Sequence, residues 1–357
     1  MDILKMAAAI GPLDEEALRE AELRQQNLLK PMGSLGRLEA LSIQIAGITG
    51  KVKNAADNKV LYLFGADNGV YEEGVAATPQ HFTKTLMENY ASGKKCAINV
   101  LCDHCGVKLR VVNMGVKGGI AHPNIDDCRL MDGTRNFSRE PAMERKTALT
   151  AMEIGFGYAK EAKEQGIHIV GNGEVGMGNT TTAAACIMAA CGLLEPEGIV
   201  GRGAGLTDKA FSKKKAVIGE ALKKYRLSPD DPVAILSCVG GLDIGAMVGL
   251  YLGCGYFRLP IVADGVISMA AALLAYRLNP LIKDYIIPSH LSEEPAYRIA
   301  AEEMGLRPVL ALNMRLGEGS GCPIMMQVVE TALAAMNGMS TFEEEAMETD
   351  YREDITM

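Results

Sequence analysis

An α/β fold built on a mostly parallel sheet is predicted by two features of this chain. Short, continuous apolar runs alternate with helical stretches, and glycine clusters with acidic or amide residues behind each run. Six runs carry the strand signal: Lys59–Phe64, Val107–Met114, Ile167–Val170, Val233–Cys238, Pro260–Ala263 and Pro308–Leu312. Each is rich in Val, Ile or Leu and nearly unbroken, as in a parallel strand covered on both faces. Ala142–Glu164, Lys209–Tyr225 and Ser268–Leu278 lie between them with helical periodicity, and strands alternating with helices give parallel sheets.

The ends of the chain read as helical. Asp14–Lys30 and Leu35–Gly50 predict two amphipathic helices broken at Pro31-Met32-Gly33, and Gln327–Met336 predicts a last helix. From Thr341 the tail turns acidic and is expected to be a solvated end. The expected organisation is a small helical domain from residues 1–50 and 327–357, with a large α/β catalytic domain over 51–326.

Composition narrows the function classes. The 357 residues are 48% hydrophobic and 22% charged, enough for a sizeable core. The net charge is −8 and the one basic block is Lys213-Lys214-Lys215, which disfavours a nucleic-acid or anionic-membrane partner. Nine cysteines are scattered through apolar runs, as expected of reduced, buried thiols in a cytoplasmic protein. MDILKMAAAI lacks the form of a secretory signal. Ile244–Phe257, the most apolar stretch, carries four glycines and is shorter than the ~20 residues a membrane helix needs.

The residues behind the strands carry the chemistry, because ligands bind at the carboxyl ends of strands in open α/β sheets. The richest segment is Gly171-Asn-Gly-Glu-Val-Gly-Met-Gly-Asn-Thr-Thr-Thr182, running from a strand into a helix. Its glycines admit a ligand close to the backbone, a helix start offers free amides to a phosphate, and Asn179 or Thr180 is placed to cap that helix. Gly171-x-Gly173-x-x-Gly176 also fits the dinucleotide-binding fingerprint, so a nicotinamide-dependent dehydrogenase is the competing reading. That fingerprint normally follows the first strand, and here it lies mid-chain. Gly201-Arg-Gly-Ala-Gly205 offers further amides, with Lys213 or Lys214 either reaching a phosphate or lining a solvated helix face. Glu318, between Gly317 and Gly319, is open to a close approach by ligand, and partial burial would raise its pKa towards proton abstraction. Cys102-Asp-His-Cys105 has the spacing of half a zinc site but no second pair, so no metal is expected. Pro288-Ser-His-Leu-Ser292 can bind phosphate or cap a helix.

In one register, these segments resemble the nicotinate-nucleotide:5,6-dimethylbenzimidazole phosphoribosyltransferases of cobamide lower-ligand synthesis. The resemblance spans nearly the whole chain, through Lys30-Pro-Met-Gly-Ser-Leu-Gly-Arg-Leu38, Gly65-Ala-Asp-Asn-Gly-Val70, Gly133-Thr-Arg-Asn136, Gly173–Thr182, Gly201–Gly205, Asp264-Gly-Val-Ile-Ser268, Pro288-Ser-His290 and Leu316–Gly321. It implies a Rossmann-like six-stranded parallel sheet, a homodimer or a heterodimer with a similar chain, nicotinate mononucleotide and an aromatic base as partners, and no cofactor. Glu318 matches the family's general base and Glu174 a carboxylate beside the ribose. The phosphoribosyl group is implied to meet Gly176, Met177, Gly178, Asn179, Thr180, Gly203, Lys214, Ser289 and Ser292, and the base pocket Ala76, Thr83, Met87 and Leu316.

Two departures stand out. The family usually has Asp-His-Gly where this chain has Asp67-Asn68-Gly69, and Gly-Val-Ser where it has Gly74-Val75-Ala76. Losing a hydroxyl there removes a partner for a base nitrogen, so an altered base preference extending to phenol or p-cresol is expected. A catalytically silent partner subunit is the non-enzymatic alternative, opposed by the presence of Glu174 and Glu318.

Overall fold

The computed structural model describes residues 2–349. One parallel sheet holds β1 (Lys59–Ala66), β2 (Val107–Gly115), β3 (Ile125–Asp127), β4 (Ile169–Val175), β5 (Ile261–Ala263) and β6 (Ile286–Pro288). The strand order is β3-β2-β1-β4-β5-β6, the Rossmann-like doubly wound arrangement. Winding direction reverses between β1 and β4, which leaves a crevice at their carboxyl ends.

Residues alternate between two cores because a strand repeats every two residues. Val60, Tyr62, Phe64 and Ala66 of β1 enter one core; Leu61 and Leu63 enter the other. Helices Arg145–Glu164, Leu242–Phe257 and Val266–Leu278 close the first core, and Ala97–Cys105 and Gly321–Gly338 close the second. Leu242–Phe257 is apolar all round because it lies inside the protein, the expected state of such a helix. Among the described residues, no helix is long and apolar enough to cross a membrane. Helices Glu15–Asn27 and Arg37–Thr49 pack together, and the latter rests on Gly321–Gly338.

Two expected strands are corrected. Val233–Cys238 lies in the helix Pro232–Val239: the Asp231 carboxylate accepts from Ala234 N at 3.1 Å, and Pro232 suits a first helical position. A short apolar run has no period that separates a buried helix from a buried strand. Pro308–Leu312 forms no strand; its one ladder contact is a bridge from Leu310 to His290. The sheet instead takes β3 and β6, three residues each and too short to show a period. The third expected strand continues through Gly171-Asn-Gly-Glu-Val175, so Gly171 and Gly173 lie inside β4. The dinucleotide fingerprint therefore does not form a strand–helix turn, which removes the basis of the dehydrogenase reading. Cys102 and Cys105 are buried in the second core. The acidic tail beyond residue 349, expected to be solvated, lies outside the described residues.

Candidate active site

A cavity of about 240 Å³ opens where the loops after β1, β4, β5 and β6 converge, at the reversal point of the sheet. Its wall contains Ala76, Glu174, Gly176, Met177, Gly178, Asn179, Thr180, Gly203, Ser292, Leu316 and Glu318. Phe82, Leu86 and His290 also line it. Thr83, Met87, Lys214 and Ser289 do not; each stands one layer behind the wall.

Each of those four is held back by an identifiable contact. The Thr83 hydroxyl donates to Asp67 Oδ1 at 2.8 Å and accepts from Met177 N at 3.2 Å, tying the β4 loop to the β1 loop. Met87 packs against Gly65, where any β-carbon would strike its side chain. Lys214 is fully buried, and its ammonium donates to Thr180 Oγ1 at 3.0 Å and to Gly201 O at 2.9 Å. Burial lowers its pKa to about 8. Lys214 thus braces two glycine loops, while Lys213 and Lys215 turn outward to Glu73 and Glu197. Ser289 hydrogen-bonds His290 Nδ1 at 3.0 Å.

Helix Asn179–Ala190 begins at the cavity, capped by Gly178 with no side-chain hydrogen bond. Asn179 does not cap it, because its amide donates to Glu174 Oε2 instead. The N-terminal dipole therefore faces the cavity, which favours an anion such as phosphate.

Glu318 occupies an unusual backbone position. Gly317, Glu318 and Gly319 have φ of 82°, 60° and 78° in succession, and a non-glycine residue in the left-handed region carries a conformational cost. Three contacts hold the loop there. Asp264 accepts from Gly319 N at 3.0 Å through Oδ2 and from Gly321 N at 2.7 Å through Oδ1. Glu318 N donates to Glu174 Oε1 at 3.4 Å, joining the two carboxylate-bearing loops. Gly173 of β4 packs against the loop backbone: a β-carbon there would lie 2.6 Å from Glu318 O. Gly173→Ala is thus expected to push the loop outward and lower kcat by about a hundredfold, since ångström displacements of a reacting group cost that much. Steady-state kinetics alongside a thermal melt would check this, with the melt lowered by the few degrees that about 1–3 kcal/mol of overpacking costs.

Burial raises the Glu318 pKa; the Tyr90 hydroxyl, which faces its carboxylate from helix Phe82–Ala91, works against this, and the Asp264 charge adds to it. Glu174 is pushed up to about 8, by burial first and then by the charges of Asp243 and Asp264. Two carboxylates with raised proton affinity at one cavity suit proton transfer and stabilisation of a cation.

Asp264, Tyr90, Phe82 and Leu86 escaped the reading of the chain as site residues. Asp264 had a signal, an acid directly behind a strand, and it opens the segment Asp264-Gly-Val-Ile-Ser268 that carried part of the resemblance. Phe82 and Leu86 lie in Thr78–Met87, which the resemblance assigns to the base-pocket region, and Tyr90, one turn farther along helix Phe82–Ala91, had no signal.

Fold and site define the chain as an α/β protein with a cavity at the sheet's reversal point, walled in part by the carboxylates of Glu174 and Glu318. A family model described as phosphoribosyltransferase matches residues 10–347. The chain is 45% identical over 346 residues to the nicotinate-nucleotide–dimethylbenzimidazole phosphoribosyltransferase of Clostridium perfringens (strain ATCC 13124), covering 97% of this chain and 95% of that one. It is 42% identical to the protein of the same name from Geobacter sulfurreducens, over 96% and 97% of the two chains. The crystal structure of the Thermus thermophilus enzyme of that name superposes with a TM-score of 0.88 at 34% identity, over 94% of this chain and all of that one. The chain belongs to this phosphoribosyltransferase family and is a transferase.

Proposed function

We propose that the protein transfers the phosphoribosyl group of nicotinate mononucleotide to an aromatic base, releasing nicotinate and giving an α-ribotide of the kind used as a cobamide lower ligand. The observation that carries this reading is the pairing of Glu174 with Glu318 across one cavity, bridged by the Glu318 amide. The wall of that cavity includes a helix N-terminus at Gly178–Thr180. It also includes the apolar side chains of Ala76, Phe82, Leu86 and Leu316. A nucleotide phosphate suits the first part of the wall and a flat aromatic base the second.

In this mechanism the bond from ribose C1′ to the pyridinium nitrogen breaks, and its electron pair neutralises the nicotinate ring. Positive charge grows on the sugar, where the Glu174 carboxylate stabilises it. The lone pair of the incoming base nitrogen forms the new bond to C1′ from the opposite face, and Glu318 takes the proton that the base sheds. Gly176–Thr180, Gly203 and Ser292 orient the phosphate, with Lys214 and Ser289 supporting from behind. The same reading places the protein in the cytoplasm, as a homodimer or a heterodimer with a similar chain. It divides the chain into a catalytic domain over 51–326 and a helical domain from both ends.

The acceptor range extends, in this proposal, to phenol or p-cresol. Ala76 lines the cavity where the family pattern has serine, so residue 76 brings no hydroxyl to bond a base nitrogen. Incubation with nicotinate mononucleotide and a panel of benzimidazoles, purines and phenols, read by chromatography, tests both parts. Absence of nicotinate release with every base would overturn the function. Dimethylbenzimidazole turned over as well as or better than any phenol would overturn the extended preference. Ala76→Ser is expected to move the benzimidazole-to-phenol ratio of kcat/KM about tenfold towards benzimidazole, the worth of one hydrogen bond.

A further inference from the structure

Asp243 is the most conspicuous buried group outside the roles given above. It is fully buried at the start of helix Leu242–Phe257, directly behind the cavity wall. Neither of its carboxylate oxygens meets a donor in good hydrogen-bond geometry. Its closest donors are the backbone N–H of Ile244 and the side-chain amide of Asn179. That amide nitrogen already donates to Glu174 Oε2. The charges that act on Asp243 and Glu174 are those of carboxylates: Asp67 from the β1 loop acts on Asp243, and Asp243, Asp264 and Glu318 act on Glu174. The neutral Asn68, whose Oδ1 accepts from Thr182 at 3.4 Å, adjoins Asp243 across Gly241.

A carboxylate buried without a cation and beside other carboxylates is costly to stability. Burial accordingly raises the Asp243 pKa to about 7. Such a group has a reason to be present if its charge and acceptor atoms act on a neighbour.

We propose that Asp243 is a positioning residue that acts on Glu174 through Asn179. The Asn179 amide nitrogen, which donates to Glu174 Oε2, also neighbours the Asp243 carboxylate, whose charge favours the orientation that keeps this nitrogen, rather than the amide oxygen, between the two acids. With that amide flipped, its oxygen would meet Glu174 Oε2, and Glu174 would turn from the cavity. The charge of Asp243 also repels that of Glu174, so Glu174 holds its proton more tightly in the free protein and ionises when a cationic ligand is bound beside it. The inference rests on the proposed role of Glu174 beside a sugar that gains positive charge.

Two substitutions separate the acceptor from the charge. Asp243→Ala removes both and is expected to lower kcat about ten- to hundredfold with the KM for nicotinate mononucleotide little changed. Asp243→Asn keeps an acceptor oxygen facing Asn179 and should recover most of that loss. In both variants the acid limb of the kcat/KM profile should move to lower pH, because Glu174 has lost a like charge. In an Asn179→Ala background, Asp243→Ala should cost less than about twofold more.

Stability gives an independent readout with a defined sign. A carboxylate whose folded pKa lies above its unfolded value stabilises less as pH rises from about 4 through about 7. Asp243→Asn should therefore melt a few degrees above the parent at pH 8, and the gap should close towards pH 4. A variant that is more stable than the parent yet has a displaced acid limb is not what a merely structural residue yields. An unmoved acid limb, an Asn variant as impaired as the Ala variant, or full additivity with Asn179→Ala would each overturn the proposal. If the parent protein releases no nicotinate, the proposed function fails instead, and the melting comparison still reports on Asp243.

Discussion

Glu318→Gln is expected to lower turnover by about 10²–10⁴-fold, the range for loss of a general base, or roughly 3–5 kcal/mol of barrier. The substitution keeps the side chain's size and leaves the backbone contacts of the loop intact, since Asp264 and Gly173 engage residue 318 and its neighbours through main-chain atoms. The melting temperature should therefore change little, and nucleotide binding should persist. The pH profile sharpens the test. A base acts when ionised, and burial raises the Glu318 pKa, so kcat/KM should fall as pH drops through a limb above the ordinary carboxylate range. Glu174, pushed up to about 8 in the free protein, contributes to the same limb. A bound pyridinium cation favours ionised Glu174, so the limb of kcat should lie at lower pH than that of kcat/KM. Turnover of Glu318→Gln within a few-fold of the parent would remove Glu318 from the mechanism.

The second large effect is expected at Asp264, which touches no part of the proposed ligand. Both of its oxygens accept backbone N–H groups of the Glu318 loop, at 3.0 and 2.7 Å. Asp264→Asn has nearly the same shape but turns one oxygen into a donor, which then faces another donor. An unsatisfied buried pair of this kind costs about 1–3 kcal/mol. The loop already holds Glu318 at a positive φ of 60°, so losing one clamp should let it relax away from that strained geometry. A fall in kcat of about a hundredfold is expected, with KM for the nucleotide affected less. The readout is steady-state kinetics over a pH range, together with a crystal structure of the variant showing residue 318. A loop that stays in place with kcat unchanged would show that Gly173 and Glu174 hold it unaided.

Much of the fold was legible in the chain because parallel strands buried on both faces are continuous in apolarity. β1, β2, β4 and β5 were found in this way, and the helices Arg145–Glu164, Asp208–Tyr225 and Val266–Leu278 by their period. Failures came where a segment was too short to have a period. Pro232–Val239 is a buried helix with the composition of a strand, and β3 and β6 are three residues long. The same limit applied to the site. The glycine-flanked Glu318 and the Gly176–Thr180 turn are contiguous motifs, visible without coordinates. Asp264, Asp243 and Tyr90 come from three separate stretches of chain, and although Asp264 stands directly behind a strand, all three face the paired glutamates only after the sheet has formed.

By itself, then, the sequence determined the α/β class, the end of the sheet at which the cavity opens, and two of the acids found in the cavity wall. Local composition is sufficient for these, because burial on two faces, turn formation and helix starts each leave a contiguous trace. Only the tertiary structure decided which residues stand in the wall and which behind it. Lys214 became a buried brace rather than a visible phosphate hand, Thr83 and Met87 became supports, and Asp264 became the clamp on Glu318. Those outcomes depend on distances between segments tens to hundreds of residues apart, which packing sets and no local pattern encodes.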